Sequence, residues 1–173
     1  MDWRHAWNFQ TIEPFLKYLG SVRERTMRVA RCIPAEKIEW TYAPGRFTLG
    51  DLLRHLALTE RWMWAENVQG RPSRYKAHGT DFADGYEHVL AFIEQLHRES
   101  LEIFGRLTDE DLQKKCKTPD GAAITTSKWL RLMIEHEIHH RGQLYIYLSL
   151  LGVATPPLYG LTSEQVRERA AAD

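Results

Sequence analysis

Among the 173 residues of this chain the side chains with the most chemical capacity are eight histidines, and three of them fall together in Glu135-His136-Glu137-Ile138-His139-His140-Arg141. His136 and His140 stand four apart, so on a helix their imidazoles occupy successive turns of one face, the spacing at which a helix-borne histidine pair chelates zinc. At about 100° per residue they share an arc with Trp129, Met133, Leu144, Tyr147 and Leu151, which turns both rings inward, with His139 toward the edge of that arc. Burying two such rings is costly unless something satisfies them. The spacing leaves two readings open: hydrogen-bonded core histidines, or two ligands of a metal ion that needs a third. His55, in Asp51-Leu52-Leu53-Arg54-His55-Leu56, is the candidate for that third ligand, because it lies at the flank of its helix's apolar stripe and faces a neighbouring helix.

Two carboxylates are candidates for acid–base work beside these rings. Glu137 stands four residues before Arg141 and reads either as half of a helix-surface ion pair or as a general base. Glu60 falls near the middle of the apolar stripe that His55 flanks, where it could orient a ligand histidine or mark a locally polar end of the structure. His97 borders an apolar arc and reads as a packed histidine, while His5, His78 and His88 lie outside the core pattern. Cys116 sits among Lys114, Lys115 and Lys117, which could lower the pKa of its thiol; a loop thiol without a base beside it is more simply a bystander. Two Glu-x-x-His matches, Glu94 to His97 and Glu137 to His140, raise the alternative of a ferritin-like di-iron bundle, but that site would leave His55 and His136 without a role.

Helical periodicity dominates the segments that must position these groups, and Pro and Gly punctuate it. The first segment runs from about Thr11 to Ile33 behind an arm (residues 1–10) in which Trp3, Trp7 and Phe9 pack. A second runs from Thr48 to Gln69, with Thr48 and Asp51 as a capping box and Leu49, Leu52, Leu53, Leu56 and Met63 as its stripe. After a loop from Gly70 to Asp84 a third helix, capped by Asp84 and Glu87, reaches about Leu107. Thr108 to Asp111 caps a short turn, Pro119-Asp120-Gly121 is a turn in an irregular crossing segment, and the fourth helix spans Thr126 to Leu151, closed by Gly152. Leu58, Trp62, Ile138 and Tyr145 lie off the core arcs and are candidates for a dimer face. The pattern predicts an all-α fold in one domain: a four-helix bundle with a crossover connection, its core at about 11–152, followed by a C-terminal extension, 153–173.

Charge and composition remove other classes. Lys plus Arg and Asp plus Glu are both 23, so no net field draws nucleic acid or anionic lipid. No apolar run approaches the roughly 20 residues of a membrane span. The opening residues lack the basic and apolar regions of a secretory signal, and two cysteines are too few for a disulfide scaffold; a cytoplasmic protein is the expectation.

The phrase Leu52-Leu53-Arg54-His55-Leu56, the phrase His136-Glu137-Ile138-His139-His140-Arg141-Gly142-Gln143-Leu144 and the ending Pro156-Pro157-Leu158-Tyr159-Gly160 together resemble the DinB/YfiT-like metalloenzymes, from about Thr11 to Gly160. The resemblance implies a four-helix bundle holding one divalent ion through His55, His136 and His140, with His139 not a ligand, and it implies a homodimer. It also implies a small-molecule substrate, in some members handled with a low-molecular-weight thiol, and therefore thiol S-transferase or hydrolase chemistry. Three neutral imidazoles leave coordination positions free, the layout of a catalytic zinc site, in which a water or thiol is acidified. Zinc, nickel or iron all suit nitrogen donors. A non-enzymatic metal-holding stress or interaction protein is the competing class.

Overall fold

The computed structural model describes residues 9–171, and the arm residues Trp3, His5 and Trp7 lie outside them. Its helices are α1 (Ile12–Ala30), α2 (Leu49–Thr59), α3 (Ala65–Asn67), α4 (Tyr86–Phe104), α5 (Asp109–Gln113), α6 (Thr126–Leu150) and α7 (Ser163–Ala170). A π-helical stretch, Glu60–Trp64, joins α2 to α3 without a break, so α2, that stretch and α3 form one long rod. With α1, α4 and α6 it makes a four-helix bundle, the expected class. α1 packs mainly on α6 and α4, and α2 mainly on α4 and α6. The first and second rods therefore lie across a diagonal. Both the connection from α1 to α2 and that from α4 to α6 must cross the end of the bundle, a topology with two crossings where the connector lengths predicted at least one.

Local sequence explains the boundaries. Thr48 accepts from the Asp51 amide at 2.9 Å while the Asp51 carboxylate accepts from the Thr48 amide at 3.0 Å, the expected capping box. Thr108 with Asp111, and Thr162 with Gln165, repeat it; the second opens the helix α7 within the C-terminal extension. At the start of α4 the structure corrects the sequence reading: Gly85, at φ 83°, is the cap residue, and no side chain caps the helix. The Asp84 carbonyl instead receives His88 Nδ1 at 2.7 Å. The crossing segment around Pro119 is a hairpin, β1 (Lys115–Lys117) pairing antiparallel with β2 (Ala123–Thr125) about the expected turn. Strands of three residues are too short to show a period of two.

The interior is divided. One apolar cluster is built around Met27, Leu52, Leu56, Ile93, Leu144 and Leu148, the other around Phe15, Leu19, Trp64, Phe104, Trp129 and Met133. Between them lies a buried polar layer containing Arg23, Thr26, Thr59, Glu60, His97, Ser100 and Glu137. Each of the four rods contributes to it. Of the residues suggested for a dimer face, Leu58 is fully buried and so unavailable to one, while Trp62, Ile138 and Tyr145 are partly buried, Trp62 packing on Phe82 at 5.6 Å and the Tyr145 hydroxyl donating to the Pro156 carbonyl. The apolar side chains left exposed on α6 are Ile146 and Leu150, one turn apart.

Candidate metal centre

At the edge of the polar layer α2 and α6 bring their histidines together. His136 Nε2 lies 3.0 Å from His55 Nε2 and 3.0 Å from His140 Nε2, and the three donor atoms all fall within 4.8 Å of one another. Two ligand atoms at the roughly 2.0–2.1 Å of zinc–imidazole bonds are separated by about 2.9–3.4 Å for octahedral to tetrahedral angles, so the short pair distances suit a shared cation. Among the described residues this is the one such group of histidine, cysteine and carboxylate donors.

Neighbouring side chains aim the rings. Gln143 Oε1 accepts from His140 Nδ1 at 2.6 Å, which turns the bare Nε2 of that ring inward. His55 Nδ1 meets the Tyr75 hydroxyl at 2.7 Å, and that hydroxyl meets His78 Nδ1 at 2.8 Å. One proton arrangement satisfies the whole chain: His55 donates from Nδ1 to Tyr75, which donates to His78 and leaves His55 Nε2 with a free lone pair. Phe47 lies against His55, His78 and His140, and Trp64 against His136 at 4.8 Å. The π-helical stretch delivers Trp64 to this position, after Thr59 has turned its hydroxyl back to the His55 carbonyl at 2.7 Å.

Electrostatics keep the rings neutral. Burial, then the charges that His140 and His78 would carry, lower His55 from 6.5 to about 3. Burial, with His140, His55 and His139, lowers His136 likewise to about 3. His140 is lowered by burial, with Gln143 opposing. Neutral imidazole is the form that binds metal, so at neutral pH the three rings present lone pairs without competition from protons.

The two candidate carboxylates do something else. Arg23 from α1 reaches Glu60 Oε2 at 2.6 Å and Glu137 Oε2 at 3.0 Å, and His97 Nδ1 meets Glu60 Oε1 at 2.9 Å, all four side chains being buried. Glu60 thus orients His97 and not a ligand histidine. Burial alone would raise its pKa, but Arg23 and His97 more than offset that and hold it below the ordinary value. Glu137 is not half of a surface pair with Arg141. Both are 3% exposed, and Arg141 donates to the Val22 carbonyl and the Tyr159 hydroxyl. The wheel misplaced them because α1 and α2 flank α6 on two sides, which widens its buried arc beyond the apolar stripe. The di-iron arrangement does not form: Glu94 pairs on the surface with Arg31, and the guanidinium of Arg23 stands between the carboxylates that a second cation would need. Cys116 points inward from β1 and burial pushes its thiol up, so the neighbouring lysines do not activate it. His139 is exposed outside the triad.

Tyr75, Phe47 and Gln143 escape the sequence reading, which sets His78 outside the core pattern and gives it no role. Tyr75 and His78 sit on the structureless segment after Gly70, where no periodicity points at a partner; Gln143, at i+3 from His140 on one helix face, carried a usable signal.

The chain matches the DinB family over residues 8–171 and belongs to it. It is 24% identical to the uncharacterized protein YjoA of Bacillus subtilis, over 87% of this chain and 94% of that one. Among solved structures, a DinB-like protein of Bacillus cereus superposes with a TM-score of 0.73 at 23% identity, covering 87% of this chain and 99% of that chain. YfiT of Bacillus subtilis, described as a probable metal-dependent hydrolase with an unusual four-helix bundle topology, gives 0.65 at 18% identity, over 83% and 89%. A mycothiol-dependent maleylpyruvate isomerase gives 0.57 at 14% identity, over 77% and 60%. At these identities the likenesses establish the four-helix fold.

Proposed function

We propose that this protein is a mononuclear metalloprotein in which His55, His136 and His140 hold one divalent ion, and that it is a metal-dependent enzyme of hydrolase or thiol-transferase type acting on a small molecule. The observation that carries the reading is the convergence of three Nε2 atoms from two helices, with His136 Nε2 at 3.0 Å from each of the others. The donors fit zinc, nickel or iron(II). When bound, such an ion supplies a Lewis acid that polarises a substrate oxygen or acidifies a water or thiol. The chain's own contribution is to hold His55 through Tyr75 and His140 through Gln143, to keep all three rings neutral, and to wall the site with Phe47 and Trp64. The description of YfiT supports the hydrolytic form, and the dependence of the isomerase on mycothiol supports the thiol form. A homodimer belongs to the same reading, with Ile146 and Leu150, exposed 60% and 62%, as apolar contacts available to it.

Elemental analysis of the purified protein beside His136→Ala tests the centre. One ion per chain in the parent and none in the variant is expected; equal metal in both would end the assignment. Glu94→Ala should keep the full metal content, since Glu94 is on the surface with Arg31.

A further inference from the structure

Beside His140, on the side away from the polar layer, a cavity of about 230 Å³ is lined by Tyr42, Arg46, Phe47, His140, Gln143 and Tyr147. Its chemistry is asymmetric. Three walls are aromatic, Tyr42 and Tyr147 meeting edge to face at 5.3 Å with Phe47 lying parallel to the His140 ring. One lining residue is a permanent cation, Arg46, and none is acidic. Among the described residues Arg46 forms no ion pair, whereas the nearby acids are committed: Glu39 and Asp51 both hold Arg54. The Arg46 charge bears on the cavity wall, favouring the ionised Tyr147 phenol against the burial and the Tyr42 neighbour that disfavour it. Gln143 has its oxygen occupied by His140 Nδ1 and its amide nitrogen 3.4 Å from His139 Nε2, so the second amide hydrogen is what it offers to anything entering.

From this arrangement we propose that the cavity is a substrate subsite for a small organic acid, whose carboxylate pairs with Arg46 while its flat or unsaturated body lies among Tyr42, Phe47 and Tyr147, next to the metal-ligand candidate His140. A planar guanidinium matches a carboxylate two bonds at a time, and aromatic faces favour a flat apolar body. A phosphate ester suits the cavity less, for a dianion draws several donors and this one offers a single cation. The volume, below the roughly 300–1,000 Å³ of drug-sized pockets, selects a metabolite-sized molecule. The proposal deepens the metalloenzyme reading and rests on it for the reaction, while anion binding at Arg46 stands apart from the ion.

Calorimetric titration with benzoate and with benzamide, its neutral counterpart of the same shape, tests it on the metal-loaded protein, Arg46→Gln, Arg46→Lys and His136→Ala, with metal content measured for each. Benzoate should bind the parent at least tenfold more tightly than benzamide, the range of a charge-assisted hydrogen bond. Arg46→Gln should erase that preference with its metal content intact, and Arg46→Lys should keep part of it. In metal-free His136→Ala the preference should persist. Equal binding of the two probes by the parent overturns the proposal, as does benzoate binding that survives Arg46→Gln but vanishes with the metal, which would assign the anion to the ion. Full metal content in His136→Ala, with the Arg46 dependence intact, would instead sink the metal-ligand assignment and leave the anion subsite standing.

Discussion

At the scale of single residues, the centre depends as much on what holds the rings as on the rings themselves. Tyr75 ties the loop after Gly70 to the outer nitrogen of His55 by a hydrogen bond of 2.7 Å, and it passes the hydrogen bond on to His78. Partners of this kind typically govern metal affinity by about 10- to 100-fold. Tyr75→Phe should therefore weaken zinc binding by about that factor in a chelator competition while leaving the melting temperature of the metal-free protein almost unchanged; an unaltered affinity would show the hydroxyl to be dispensable. The depressed histidines carry a second prediction. His55 and His136 titrate near 3 when folded and near 6.5 when free, so between those values the unfolded chain binds protons that the folded one refuses. Stability of the metal-free protein should be full above about pH 6.5 and fall as the pH drops toward 3. His136→Gln should flatten that profile in thermal melts taken across pH 7 to 5, and a parent profile that is already flat would contradict the burial of neutral rings.

At the scale of elements, α2 both carries His55 and anchors the loop above the site. Arg54, adjacent to His55 and fully buried, donates through Nε to the His78 carbonyl at 2.9 Å, through Nη1 to the Ala83 carbonyl at 2.9 Å, and to the carboxylates of Glu39 and Asp51. One guanidinium thus fastens both the 31–48 connection and the loop after Gly70 onto one face of α2. Gly50 leaves room for this pairing: a Cβ at that position would stand 2.7 Å from Glu39 Oε1 and 2.9 Å from Arg54 Nη2, so the paired side-chain ends would have to shift. Replacing Arg54 by leucine leaves the His78 and Ala83 carbonyls without this donor and takes from Glu39 and Asp51 the cation they share, and should cost about 3 kcal/mol or more in chemical denaturation. The loop amides around residues 76–84 should also lose hydrogen-exchange protection ahead of the bundle. Arg54→Lys should fail to rescue, because a point charge cannot reach carbonyls and carboxylates in one plane. Loss of global stability with the loop still protected would refute the anchoring role.

At the scale of the whole molecule, the bundle is two apolar halves joined through a polar layer in which Arg23 occupies the position of a central cation. Burial works against its charge, but Glu137 and Glu60 more than compensate and hold its pKa above the ordinary arginine value. Removing one acid leaves a buried charge partly unpaired. Glu137→Ala should therefore destabilise by about 3–5 kcal/mol, measured in denaturant, without abolishing metal binding, since Glu137 makes no hydrogen bond to the triad. The contribution of Glu60, whose folded pKa is lowered, is present above about 4.5 and is lost as the pH falls through the folded value. Metal loss in Glu137→Ala at full folding would show instead that the layer serves the ion directly. Among the described residues no helix is long and apolar enough to cross a membrane.

Much of this was legible along the chain. The i and i+4 spacing of His136 and His140, the apolar arcs, the capping box at Thr48 and the glycine stop at Gly152 are local properties, and local geometry suffices to express them. The pairing of His55 with His136 lay in the sequence only as a flank position, and the resemblance of two phrases supplied the rest. What folding alone decided were matters of distance across the bundle: that Glu60 and Glu137 would turn toward Arg23, that a π-helical stretch would carry Trp64 beneath His136, and that a loop without periodicity would bring Tyr75 to the His55 ring. Each depends on side chains separated by tens of residues, and a helical wheel, which knows one helix at a time, contains no information about which neighbours close on its two sides.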